Sequence, residues 1–536
     1  MAGGGRRIRI GRGWPITLVR PIYLERREAM RLVSLVLVAC FVFFLGVVRV
    51  NWVGAEELSK EEVAALKDLL KTKPGAALST EDVGALKELL KAREVPPMPA
   101  KAPAAQLNDD EITGIRDFFN VFKGIKFSGF VENFYQYNSA NPGHEAGTGP
   151  SGRRGAIPTG GPARNMLEIR AFDREDNSFT LNNIELHLYK EPTEDSPIGF
   201  RVTTLYGEQA HRLTFIPTDG RVDDDDFTVG EGYAWWRIPL GKGIDFKFGK
   251  FATWIGSEVW ESPWNPNFSR SLLYQNAIPF TNTGVSLGYP VLDNLYFTFF
   301  LVNGWDTFVD NNRSKTFGSQ VKYTIPNVPI LHNAFVMLNT SHGPEQSRKN
   351  LTGPGPDGMI MTADDVYAKN RGSEGNWRHF FDLILQFDPT TWLRSNSNFD
   401  YGSERFTRGF AGGFGANFFV GDNRTRRDWW GVSQIFQFFP QNRINFALRG
   451  EYFWDKEAAR NVAIIPMNST GALAPIGVAI AEVTGTVNIK VRDKLVIRPE
   501  IRYDKITSAD GRNASLNQFD NHDSETTFAT AMTYEF

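Results

Sequence analysis

Among 536 residues there is one cysteine, Cys40, there are seven histidines, and basic charge is not in excess, since 59 Lys and Arg face 61 Asp and Glu. Each scarcity removes a class of function. One thiol cannot build a disulfide, a thiolate metal site or a CxxCH haem attachment, so no cofactor is expected. A net charge of −2 gives no field to attract a phosphate backbone, and nucleic acid is not an expected partner. The histidines form no obvious pair with a serine-containing motif, so the proton relay of a hydrolase is missing and the chain reads as non-enzymatic. Beyond residue 55 there is no run of about 18 apolar residues, which excludes membrane crossing by helices.

A long apolar run does occur at residues 32–48, with Arg31 before it and Gly54 and Ala55 after it. This is the pattern of a secretory signal cleaved near Ala55. The Arg-rich residues upstream carry no hydrophobic period, and Met30 offers a second start. Cys40 ends the string LVAC, a lipoprotein pattern, but apolar residues 41–45 continue the core beyond it and speak against lipidation. Residues 1–55 are therefore read as extension and signal. Their nine Arg and two Glu leave 50 basic and 59 acidic residues behind, a balance of −9 and no cysteine.

Residues 56–122 repeat a helical unit: LSKEEVAALKDLLK from Leu58, LSTEDVGALKELLK from Leu78 and, more loosely, LNDDEITGIRDFFN from Leu107. Ser59, Ser79 and Asn108 are N-caps, and Glu62, Asp82 and Glu111, three residues on, reach back to the cap. Val63, Leu66, Leu69 and Leu70 make one apolar stripe. Helices this short need a surface to bury against. That surface is each other, a neighbouring subunit, or a periplasmic partner. A stiff proline-rich linker at residues 95–103 separates the second and third copies.

From residue 125 the period falls from 3.6 to 2, in segments of about ten residues between turns, the signature of a transmembrane β-barrel over 123–536. Ile184, Leu186 and Leu188 alternate with Glu185 and His187. Arg449, Glu451 and Asp455 share one strand face, and Arg498, Glu500, Arg502 and Asp504 share another, backed by Ile497, Ile501 and Tyr503. Such rows fit a wall with lipid outside and water inside, either bracing it or selecting solutes. Phe528, Met532, Tyr534 and Phe536 lie on one face of the last strand. A terminal Phe536 with Tyr534 two before it resembles the signal read by the outer-membrane barrel assembly machinery. Short turns near 192–197, 239–243, 290–294, 326–329, 388–391, 440–443 and 492–494 alternate with eight long loops, which predicts sixteen strands. An extra hairpin at 409–420 would make eighteen. The expected fold is an all-β, antiparallel transmembrane barrel with a short periplasmic α-helical region before it.

Three segments, SGFVENFYQYNSANP from Ser128, FDREDNSFTLNNIELHLYK from Phe172 and FGKFATWIGSEVWESPWNPNFSRS from Phe248, resemble the OmpL-like outer-membrane β-barrel porin family, as do TNTGV and VNGWD after them. The resemblance runs from about residue 125 to the end and is densest in the first half. It implies an outer-membrane pore and says little about the solute.

The loop after the fifth strand, residues 252–282, is the expected constriction. It carries Glu258, Glu261, Asn265, Asn267 and Arg270 among Trp254, Trp260 and Trp264. Fixed charge in a narrow channel biases ion passage, and the two glutamates predict a mild cation preference. Asp223, Asp224, Asp225 and Asp226 form an acidic loop that is a weak Ca²⁺ candidate, read here as solvated. The expected setting is outer-membrane lipid and lipopolysaccharide, with a homo-oligomer, for instance a trimer. Two other functions fit a barrel: a sleeve around a partner multihaem cytochrome, and a structural tether of the envelope.

Overall fold

Alternating apolar and polar residues become sixteen antiparallel strands in this computed structural model, and the last strand pairs with the first. The described residues are most of 124–536. Residues 1–123, residue 327 and parts of 140–175, 215–226, 351–372, 407–424, 456–476 and 510–522 lie outside them. The signal, the helical repeats and Asp223 to Asp226 are thus outside the described residues.

The barrel opens with β1 (Lys126–Asn138), β2 (Ser178–Lys190), β3 (Ile198–Tyr206), β4 (Phe227–Ile238), β5 (Ile244–Ala252) and β6 (Thr281–Leu292). It continues with β7 (Leu295–Val302), β8 (Thr316–Thr324), β9 (His332–Pro344), β10 (Trp377–Thr390) and β11 (Leu393–Arg405). It ends with β12 (Arg426–Phe438), β13 (Ile444–Asp455), β14 (Val478–Arg492), β15 (Leu495–Ala509) and β16 (Ser524–Glu535). β1 pairs with β2 from Lys126↔Tyr189 to Gln136↔Ser178, and on its other edge with β16 from Phe130↔Glu535 to Asn138↔Thr527. Closure leaves no open strand edge, which a lipid environment requires because it offers no water to unpaired backbone groups.

All seven short connections join barrel neighbours at the rim that also carries both barrel ends, and the eight long ones start and end at the opposite rim. The uncertain hairpin exists: Phe410–Gly413 pairs with Ala416–Phe419. It belongs to a separate four-stranded sheet with Lys349–Gly353 and Val366–Lys369, so the barrel count stays at sixteen. A short helix, α1 (Glu208–Thr214), sits in the loop between β3 and β4.

The two faces of each strand follow from the pleat. On β10, Phe381 and Leu383 point outward and are 42% and 44% exposed, while Phe380 and Asp382 point inward and are fully buried. The row Ile501 and Tyr503 is likewise outside, and Arg498, Glu500, Arg502 and Asp504 are inside. Phe528, Met532, Tyr534 and Phe536 form the outward row of the last strand. Phe536 also closes the seam, since its backbone N–H donates to the Gly129 carbonyl at 2.9 Å and its ring lies 6.0 Å from that of Phe127. A cation on the lipid face costs about 2–4 kcal/mol near the midplane. Leu383→Arg should lower the unfolding free energy of the barrel by that amount, whereas Leu383→Phe should leave it nearly unchanged, as read by urea titration in lipid.

Candidate functional site

Between β5 and β6 the chain crosses the lumen instead of folding back over the rim. Apart from a 3₁₀ turn (Ser262–Trp264) and a π turn (Leu273–Ala277), the segment has no regular structure. Its buried backbone groups must therefore find partners elsewhere. They find them in the barrel wall. Trp254 stacks on Phe300 of β7 at 4.0 Å and its indole N–H donates to the Thr340 carbonyl of β9 at 3.2 Å. Gly318 makes this possible, because a Cβ there would lie 2.3 Å from the Trp254 ring. The Gly256 N–H donates to Asp382 at 2.8 Å and that of Ser257 to Asn398 at 3.0 Å. On the other side of the barrel, Trp260 donates to Glu185 at 3.2 Å and Ser262 to Glu132 at 2.6 Å. The N–H groups of Phe268 and Ser269 donate to Glu500 at 2.8 and 3.1 Å, and that of Leu272 to Glu451 at 2.6 Å.

The arginines of the wall take the segment's carbonyls and its acid. Arg449 pairs with Glu258 at 3.2 Å and with Glu482 at 3.1 Å, and donates to the Ser269 carbonyl at 2.6 Å. Arg502 pairs with Asp504 at 2.7 Å and donates to the Arg270 carbonyl at 2.7 Å. Arg498 donates to the Asn265 carbonyl at 2.7 Å. Asp455 instead receives the N–H groups of Ala459 and Arg460, at 2.7 and 2.9 Å. The charge rows expected to line the lumen do so, and most of their members are engaged with the crossing segment.

All five candidate constriction residues lie inside the barrel, none more than 6% exposed. Glu258 accepts the Ser271 N–H at 3.0 Å besides its bond to Arg449. Asn265 closes on Val259 in both directions, at 3.0 and 2.7 Å. Asn267 donates to Thr486 at 2.7 Å. Arg270 donates to the Phe268 carbonyl at 3.0 Å, to Gln209 of α1 at 2.9 Å and to the Trp260 carbonyl. Burial, with Glu185 and Glu231 nearby, pushes the Glu261 carboxyl well above the usual carboxylate range. The wall partners Glu132, Glu185, Asp382, Asn398 and Glu482 were not among the sequence candidates. Strand parity could have placed them inward, but nothing local shows which loop atoms they meet.

A wall of charges turned inward, apolar rows turned outward and a loop folded into the lumen is the architecture of a porin. The sequence matches the family described as beta-barrel porin-2, OmpL-like, over residues 124–536. The chain belongs to this family. No protein of curated function matches the sequence. Solved structures with a similar fold include OmpT, an outer membrane protein of Vibrio cholerae, at 12% identity and a TM-score of 0.43, with 77% of this chain and 97% of that one covered. The anion-selective porin from Comamonas acidovorans has 9% identity and a TM-score of 0.42, covering 77% and 99%. The outer membrane channel DcaP of Acinetobacter baumannii has 9% and 0.42, covering 77% and 97%. Likeness at this level says nothing about the solute.

As a member of this porin family the chain resides in the outer membrane, and its family and fold are those of a channel rather than an enzyme. Its lumen is unequal along its length. At the level of the crossing segment the inward side chains are buried, whereas toward the turn rim Tyr233, Lys247 and Met337 are only half-buried and Lys322 is exposed. Removing one partner of a buried ion pair costs about 3–5 kcal/mol, because the other charge is left unmatched. Arg449→Ala takes the ion-pair partner from Glu258 and Glu451 and leaves Glu482 only Arg502, at 3.8 Å. It should lower stability by about that amount and, in single channels, give larger and noisier currents as the segment loosens.

Proposed function

We propose that this porin forms a water-filled pore for passive diffusion of small hydrophilic solutes or ions, with residues 252–282 as its constriction. The observation that carries the reading is the polar inner wall. Lys322, Gln386 and Asn396 face the lumen and are exposed or half-buried there, and the strands of the first two turn Val321, Tyr323, Leu383 and Leu385 the other way. A core built only for stability would place apolar side chains there. Refolded protein in planar bilayers should give stepwise conductance that rises with KCl concentration. A bilayer that stays silent at every KCl concentration removes the proposal.

The same reading includes a homo-oligomer, a trimer for instance, set among lipid and lipopolysaccharide, with the outward Tyr534 and Phe536 presented to the barrel assembly machinery. Deleting Phe536 takes away both its ring contact with Phe127 and the backbone pair with Gly129. Folded protein in the outer membrane should fall while secretion across the inner membrane is unchanged, as read by heat-modifiable gel migration of membrane fractions.

A further inference from the structure

On the wall from β2 to β9 the charges left over in the open part of the lumen are basic, and they sit among aromatic rings. On the wall of β2 to β5 the cross-strand register brings Tyr189 opposite Arg201, Arg201 opposite Tyr233, and Trp235 opposite Lys247. The Arg201 guanidinium is 5.7 Å from the Tyr189 ring centre, and the Lys247 ammonium is 4.9 Å from Tyr233 and 4.7 Å from Trp235. Neighbours in register run across the strands, and barrel strands are tilted, so such a row climbs along the axis as it passes from strand to strand.

The acids of this region already have partners. Glu231 is bound by Arg201, and Asp245 by Arg237 at 2.9 Å, by Trp235 at 3.0 Å and by Tyr296 at 2.8 Å. Glu231 and Asp245 are also the carboxylates within electrostatic range of Lys247, so each is shared with an arginine. Farther round the wall, Lys322 stands opposite Tyr296 on the next strand, with its ammonium 4.6 Å over the Phe335 ring. Among the described residues neither Lys247 nor Lys322 has an ion-pair partner. Above them, Glu258 is matched by Arg449. Glu258, expected to favour cations, is thus masked, while two ammonium groups face the lumen.

We propose that this wall is a binding track for organic anions with a planar ring, of the aromatic carboxylate class. The carboxylate meets Lys247 or Lys322, and the ring lies against the half-exposed faces of Tyr189, Tyr233 and Trp235. An unmatched cation in a confined channel concentrates anions. Rings lining the wall add apolar and stacking contact for a planar solute that a small anion such as acetate cannot use. The proposal rests on the pore reading and names its solute class.

The experiment is single-channel recording of the full mature protein in KCl, with benzoate, acetate or benzyl alcohol added from the turn-rim side. Benzoate should reduce the current saturably, at concentrations roughly tenfold below those at which acetate or benzyl alcohol acts. Lys247→Gln should weaken the benzoate effect about tenfold, Trp235→Ala should bring benzoate down to acetate, and Lys247→Gln with Lys322→Gln should move the zero-current potential in a KCl gradient away from anions. Heat-modifiable migration confirms that each variant is folded, and Lys247→Arg should retain the benzoate effect. Normal KCl conductance with no difference among the three probes overturns the track and leaves the pore standing. Equal action of benzyl alcohol overturns the anionic part. Silence in KCl alone overturns the pore and the track together.

Discussion

Buried guanidinium groups on the inner wall set the terms for the rest of this structure. Arg449, Arg498 and Arg502 lie on neighbouring parts of β13 and β15, at most 2% exposed, where an unmatched charge would be prohibitively expensive. Wall carboxylates match part of that charge, as Glu482 and Asp504 do. The rest is met by the segment between β5 and β6, through Glu258 and the carbonyls of Ser269, Arg270 and Asn265. The exchange is reciprocal. A segment without a ladder of its own gives its N–H groups to Asp382, Glu451 and Glu500. Wall and segment each satisfy groups that the other would leave unpaired.

This mutual satisfaction explains why the lumen has two regimes. Where the segment crosses, charge is consumed in fixed contacts and little remains to act on a passing ion. Nearer the turn rim no segment intrudes among the described residues, and Lys247 and Lys322 lie beside aromatic rings. On the proposed reading selectivity rests on residues that look incidental in the sequence, while the conspicuous acids Glu258 and Glu261 lie buried in the crossing.

Strand number and sidedness were legible because both rest on short-range patterns. A period of two decides which side chains face lipid, and turn residues such as those at 239–243 and 440–443 mark each hairpin. The inward rows Arg449, Glu451, Asp455 and Arg498, Glu500, Arg502, Asp504 could be placed for the same reason. The hairpin at 410–419 looked like barrel because its local pattern is that of a strand pair, and only its sheet partners, Lys349–Gly353 and Val366–Lys369, set it apart. The crossing segment was recognisable from its charges and tryptophans. Its anchors were not, because bonds such as Glu258 to Arg449 or Ser262 to Glu132 join residues far apart in the chain. The helical repeats at 56–122 fall outside the described residues, and their role in joining a periplasmic partner or a neighbouring subunit stands as a proposal.

The central claim is that residues 253–280 lie inside the lumen, held there by the wall. Val259 is the direct probe, since its side chain is 37% exposed within a segment whose neighbours are buried. In a Cys40→Ser background, Val259→Cys should react with a small thiol reagent and lower the single-channel current once modified. On intact cells the same cysteine should resist a bulky polymer maleimide that labels the denatured protein readily. Rapid labelling by the polymer on intact cells, with the current unaffected by the small reagent, would contradict the account.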